Sequence, residues 1–480
     1  MQEEKKELKS EFLLRESKID IQTDKRLLIY EILSSKAHVI SLEKINAITK
    51  EEAKLLIKTL NKLYNDYNAG KLVFDGNFED IHFLVEDYLI KEIGIEVGGK
   101  LHIGRSRNEL IINDVRMYLR DWINNFSLKF LEKLKELLNL ADLEYKKLFI
   151  SYTHLQQAQL ITYGYYLLAH VEFLIRIYER LREVYKRLDY CVLGSGAIAG
   201  VNWPINRKLT AQLLGFRNIT QNAMDSINSR GEIESELIFI LSLLSIHLSR
   251  ISEDLIIYST QEFNLVEIPD ESIGISSIMP QKRNPDSLEL IRGKSSKIVS
   301  SLFEILFTLK SLPSGYNKDL QEIKTTLFNT LKMIDEIFEE IVQVIMKLKV
   351  KDESLMNSNK IIYTLATDIA DYLVIKLGVS FRQAHKLISK AVNESYKNGK
   401  DFIKTVEDLL SLEGKYIKLG RFKDLRKSLY RKKSYGSSNP SNVRLIIKLR
   451  KKFLENEERK IMKEIQRINN YLKDLILFDF

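Results

Sequence analysis

Three short polar stretches stand at the heads of long apolar repeats, and together they hold groups suited to binding carboxylates and moving protons. GISSIMPQKRNPDSLE, residues 274–289, offers Ser276 and Ser277 behind Gly274, then Lys282, Arg283 and Asn284. Asn284-Pro285-Asp286 reads as a helix start. Asn suits the N-cap, Pro the first helical position, and Asp the positive end of the helix dipole. Lys282, Arg283 and Asn284 therefore gather beside free backbone N–H groups, a natural seat for an anion. Gly274 lends the segment mobility. GRSRNEL, residues 104–110, places Arg105, Arg107 and Asn108 at the start of a first long helix. SYTHLQQAQ, residues 151–159, places Thr153 and His154 at the start of a second. A lone histidine is more often structural, and a polar connector is often only a connector. Three such clusters at helix heads instead suggest a site that holds a dicarboxylate and transfers protons.

The elements that must position these groups are long helices. Between Asn108 and about Lys146, Val115, Leu119, Trp122, Phe126, Phe130, Leu134 and Leu137 recur at three and four. A second stripe, within Ala158 to about Leu188, includes Tyr163, Leu167, Val171, Leu174, Ile177 and Leu181. A third runs from Ile233 to Tyr258, a fourth from Leu288 to Leu312, and a fifth within Asp319 to Lys349. Helices of this length predict a bundle about 45 Å long at 1.5 Å per residue. All 6 prolines fall between the stripes or at their starts, which supports the boundaries. Apolar residues off the main seam, such as Ile238, Phe239 and Leu243, predict packing of one bundle on another and hence an oligomer. Residues 1 to about 105 and about 355 to 480 show shorter helical patterns. The expectation is an all-α protein of three helical domains: 1–105, the central bundle 106–354, and 355–480. Strand-like alternation is scarce, and no internal repeat is found.

Composition narrows the class. The 480 residues leave room for about two to four domains. No apolar run approaches the ~18 residues of a membrane span, and MQEEKKELKSEF lacks the apolar core of a signal peptide. The single cysteine, Cys191, excludes an intrachain disulfide and a Cys-based zinc cluster. These features suit a cytoplasmic protein that is not a membrane protein. Net charge is +9, but acids are interspersed with the bases. The dense patch Arg421–Lys433 has little aromatic interleaving, so it reads as solvated surface rather than a nucleic-acid site.

The stretch 274–289 resembles the signature loop of the fumarase/aspartase superfamily, and QKRNPDSLE resembles its argininosuccinate lyase branch. FEDIHFLVE (78–86), LHIGRSRN (101–108), YTHLQQAQ (152–159), LGSGAIAG (193–200), TDIADYLV (367–374) and FRQAH (381–385) extend the likeness over nearly the whole chain. The resemblance implies a central five-helix bundle that assembles into a homotetramer with a twenty-helix core. It implies an amidine-lyase, the reversible β-elimination of argininosuccinate to arginine and fumarate, with no cofactor and no metal. Ser276 and His154 would carry the proton transfers, their order as base and acid left open. Lys282 and Asn284 would stabilise the dianionic intermediate, and Glu289 would pair with His154. Arg107, Asn108, Thr153 and Ser277 would bind substrate, as would Tyr316, Gln321 and Lys324 between the fourth and fifth helices. Each site would draw on three subunits.

Several positions depart from that pattern. Asp20 stands where the family has a substrate-binding serine, which adds negative charge near an anionic substrate unless the carboxylate meets an amino group. Glu109-Leu110 replace Asp-Gln, and Ile275 replaces a glycine before Ser276. Near Arg230, NAMDSINSRGE (222–232) loses two acids. LGSGAIAG resembles a phosphate-binding glycine loop, but it follows a helix with no strand expected before it, so the dinucleotide context fails. Of the 7 histidines, His82 and His102 are expected to border the site. His38, His170, His247 and His385 read as structural, and none has metal-ligand spacing.

Overall fold

All five stripes form helices, Arg107–Leu143, Tyr163–Leu188, Glu232–Ser259, Asp286–Leu309 and Glu322–Lys347. In the computed structural model, residues 10–74, 78–356 and 361–478 are described, and the charged run 1–9 lies outside them. Stripe residues such as Leu119, Phe130, Val171, Leu181, Leu244, Ile298 and Ile334 are fully buried. None of the prolines lies inside a long helix; Pro440 opens one, as its fixed φ favours.

Side-chain contacts fix the direction of each helix. Asn124 meets Tyr185 at 3.3 Å and Arg116 meets the Tyr190 carbonyl at 2.6 Å, so the second helix runs against the first. Tyr166 meets Asp254 and His170 meets His247, so the third runs against the second. Ser295 donates to the Ser245 carbonyl at 2.9 Å while Arg292 meets Glu253, and Lys294 reaches Glu336 at 2.6 Å while Thr326 meets Glu304. The fourth helix is therefore antiparallel to both the third and the fifth. One end of the bundle holds residues 107, 188, 232, 309 and 322; the other holds 143, 163, 259, 286 and 347.

Phe130 shows what holds the bundle closed. Its ring stacks on Phe338 at 4.6 Å and tilts against Phe126 at 5.5 Å. Phe130→Ala removes a fully buried ring and leaves a cavity between the first and fifth helices. A loss of about 3–5 kcal/mol is expected. A denaturant midpoint within error of wild type would contradict this account.

Four expectations need correction. The second stripe begins later than expected. Leu148–Thr153 and Gln156–Thr162 form an antiparallel hairpin, and the helix starts only at Tyr163 with Thr162 as its cap. Leu148, Phe149, Ile150, Leu160 and Ile161 are buried, and Ser151 ties the strands by bonding both N–H and C=O of Gln159. The fourth helix begins one residue late, with Pro285 at the cap position and no side-chain cap, because Asn284 pairs with Gly274 in a short ladder. The C-terminal flank is not uniformly short in its helices. Pro440–Ile476 spans 37 residues and runs along the first helix, with Lys135 meeting Glu458 and Lys451 meeting Asp142. Its high charge hides a sparse seam of Val443, Ile447, Leu454, Ile461, Ile468 and Leu475. Finally, Ile238 turns into the core at 0% exposure, while Phe239 is 47% exposed as an outward apolar face requires. Phe303 and Phe307 on the fourth helix are likewise exposed.

The stretch Ala223–Ser259, which contains the third helix, is long and apolar enough to cross a membrane, but 61% of its apolar window is buried inside the bundle. A helix that is apolar all round is what the centre of a bundle demands.

Candidate functional site

At the Arg107 end, Ser106 caps the first helix and starts it one residue before Arg107 and two before Asn108. Both line a cavity of about 190 Å³ with Tyr316, Gln321, Lys324, His82 and Arg230. Arg107 Nη1 donates to Asp80 at 3.1 Å and to Glu79 at 3.4 Å. Asp80 itself caps the helix Ile81–Ile93. Although burial opposes its charge, His82 and Arg107 hold the Asp80 carboxyl below the usual carboxylate range. The Arg230 guanidinium lies over the Tyr316 ring, 5.5 Å from its centre. Lys324, buried, donates to Asp24 at 2.7 Å and lies 3.4 Å from Asp20. The extra acid at position 20 thus meets an amino group, that of Lys324. Burial raises the Asp20 carboxyl more than Lys324 lowers it.

The other expected site residues lie at the opposite end. His154 and Leu155 occupy the two-residue turn of the hairpin with φ of 54° and 56°. That twist suits a tight hairpin but is normally reserved for Asn and Gly, and it costs about 1–2 kcal/mol per residue. His154 and Thr153 are exposed in the single chain. Ser276, Ser277 and Lys282 occupy the loop closed by the ladder Gly274–Ile275 with Arg283–Asn284. A Cβ on Gly274 would fall 1.7 Å from Asp286 Oδ2, so this glycine admits a close approach rather than supplying mobility. Ile275 and Ile278 are 88% and 85% exposed, so the loop presents an apolar surface. Glu289 stands 3.8 Å from Arg292, and the single chain does not bring it to His154.

Sequence reasoning missed one cluster. Glu31, His82 and Asp114, from three different helices, converge within the core. His82 Nδ1 lies 3.1 Å from Glu31, and the buried Arg105 guanidinium donates to Glu31 at 3.1 Å and to Ser35 at 2.9 Å. Burial would raise the Glu31 carboxyl, but Arg105 and His82 hold it low; burial and Glu31 push Asp114 up. The three spacings carry no sequence motif, which is why only the fold reveals them. A guanidinium already supplies the positive charge that this group of acids needs. His38 bonds the Ile103 carbonyl, the rings of His170 and His247 pair between the second and third helices, and His385 is exposed beside Phe381. The loop 193–200 is preceded, against expectation, by a two-residue strand, Tyr190–Cys191, but the next helix opens only at Arg207.

Comparison with known proteins agrees with this architecture. Residues 5–300 match the sequence profile of a family described as Lyase, and residues 363–419 match one described as Argininosuccinate lyase C-terminal. Over 444 residues the chain is 40% identical to the argininosuccinate lyase of Caldicellulosiruptor bescii, covering 90% of this chain and 94% of the relative. The chain belongs to the argininosuccinate lyase family. The argininosuccinate lyase of Aquifex aeolicus is also 40% identical, over 433 residues, with 90% and 94% covered. Among solved structures, an EDDS lyase in complex with formate superposes with a TM-score of 0.82 at 27% identity, over 95% of this chain and 92% of that one. The family is one of lyases with this helical fold, as the sequence predicted.

Proposed function

We propose that the chain is an argininosuccinate lyase that catalyses the reversible β-elimination of argininosuccinate to L-arginine and fumarate. The observation that carries this reading is its 40% identity to enzymes of that name over 94% of their length. In the elimination a base removes the proton from the carbon beside a carboxylate, and the extra charge spreads onto that carboxylate. An acid then protonates the guanidino nitrogen as the carbon–nitrogen bond breaks. Ser276 and His154 carry these two transfers. Lys282 and Asn284 stabilise the dianion, as oxyanion donors do, and Glu289 orients His154. Arg107, Asn108, Thr153, Ser277, Tyr316, Gln321 and Lys324 bind the ends of the substrate. Asp20 acts beside them as a counter-ion to Lys324.

The two residue sets stand at opposite ends of the bundle, which supports a site assembled from several chains. A 24-residue helix separates them by about 36 Å. Exposed Phe239, Phe303 and Phe307 support packing of bundle on bundle. The reading is therefore a cytoplasmic homotetramer with three helical domains per chain, 1–105, 106–354 and 355–480.

Fumarate release, followed by absorbance, tests the reaction. Argininosuccinate is expected to be turned over far faster than succinyl-adenylate, aspartate or EDDS. A well-folded oligomer inert toward argininosuccinate would overturn the assignment.

A further inference from the structure

The turn 194–200 touches two walls of the cavity at the Arg107 end. On one side, Asn108 Nδ2 donates to the Ala197 carbonyl at 3.3 Å. On the other, Ile198 Cδ1 lies 3.0 Å from where a Cβ on Gly315 would stand, next to Tyr316. The turn is itself tight. Gly194, Gly196 and Gly200 all have positive φ, and Gly200 N–H closes back onto the Ser195 carbonyl at 2.9 Å. A side chain at Gly196 would strike the Gly200 carbonyl at 2.8 Å. What fastens this turn to the bundle is Glu109. One carboxylate oxygen accepts from Gly196 N–H at 2.9 Å, and the other accepts from Ser106 N–H at 3.3 Å within the helix cap. Adjacent residues on one helix turn thus grip both faces of the same peptide segment.

We infer that Glu109 is a positioning residue for the reaction: its carboxylate pins the 194–200 turn to the head of the first bundle helix and so sets the spacing between the Arg107–Asn108 wall and the Tyr316 wall. Glu109 touches no substrate in this scheme. Its side chain is 1% exposed, so a lost acceptor there is not replaced by water. Burial pushes its carboxyl up to about 7, against the pull of the Gly196 and Ser106 N–H groups and of Arg105. The other ionisable groups around the turn are Cys191 on the strand before it and Arg207, which donates to Leu193 O at 2.8 Å and to Ser195 Oγ at 3.2 Å. The Cys191 thiol is pushed up to about 12 by burial and stays neutral. Glu109 is the group that changes near neutrality. Its grip is complete when ionised and weakens as pH falls through about 7, because the added proton then faces an N–H donor.

This inference rests on the proposed lyase reaction, and its test has one arm that does not. In the full-length oligomer, Glu109→Gln keeps the shape but turns an NH2 group toward one of the two N–H donors. The KM for argininosuccinate is expected to rise about tenfold with kcat little changed. The inflection near pH 7 in log kcat/KM should vanish. In parallel, hydrogen exchange over 193–200 is expected to slow in wild type between about pH 6 and pH 8 beyond the intrinsic rate change, and to stay fast in the variant. Unchanged KM and pH profile in folded Glu109→Gln would overturn the inference, as would exchange identical to wild type. If Glu109→Gln does not fold, Ile198→Ala reads the same turn: raised KM with the inflection retained is expected, and unchanged KM overturns it. An inactive wild type would defeat the lyase assignment alone, and the exchange comparison would still decide the role of Glu109.

Discussion

Ser276→Ala is expected to lower turnover of argininosuccinate by roughly 10²–10⁴-fold, the usual range for loss of a proton-transfer group, while KM changes little. Ser276 Oγ accepts from the backbone N–H of Met279 at 3.0 Å and of Ile278 at 3.4 Å. A neutral serine is a poor base because its alkoxide is costly. Two N–H dipoles aimed at the oxygen favour the charged form, and Lys282 follows three residues after Met279, its own N–H bonded to the Met279 carbonyl at 3.1 Å as the loop turns. The variant removes the oxygen and leaves the Gly274–Ile275 ladder with Arg283–Asn284 intact, so thermal unfolding should not move. Steady-state fumarate release with a melting curve on the same sample checks both halves. Activity within about tenfold of wild type would mean that the loop serine carries no proton in the rate-determining step.

The sequence made the bundle legible because 3.6-residue periodicity and the placement of prolines report local geometry directly. It misplaced the start of the second long helix because Gln156, Gln157 and Gln159 have no strong strand preference. Pairing with Leu148–Thr153, not propensity, makes that segment a strand. The helix Pro440–Ile476 escaped notice for the opposite reason. Its apolar seam is narrow and its remaining surface is charged, so it resembles a solvated linker until the first bundle helix is beside it. Arg107, Asn108, Tyr316, Gln321 and Lys324 were legible as a group through family resemblance, and the fold brings them to one cavity. What the chain alone could not reveal is partnership at long range. That Asp20 faces Lys324, that Glu109 reaches Gly196, and that Glu31, His82 and Asp114 converge are consequences of packing, with separations of 32 to 304 residues.

Mixing two crippled variants is expected to restore activity that neither has alone. Ser276→Ala removes the proposed proton carrier from one end of the bundle, and Arg107→Ala removes the proposed carboxylate ligand from the other. The second change costs about 10–100-fold, as loss of a charge-assisted hydrogen bond does. Within one chain these residues are separated by the length of the fourth helix, about 36 Å, so no single substrate spans them. A site that uses both residues, as proposed, takes its Ser276 and its Arg107 from different copies. When the two variants are denatured together and refolded in equal amounts, each contribution is drawn independently. About a quarter of the sites then receive both native residues, and activity should approach a quarter of wild type. A blend of the separately folded variants should stay at their average. Differently tagged chains recovered together would establish that subunits had mixed. If mixed oligomers form yet remain no more active than the blend, the two ends of the bundle do not meet in a shared site, and the division of labour between them would have to be redrawn.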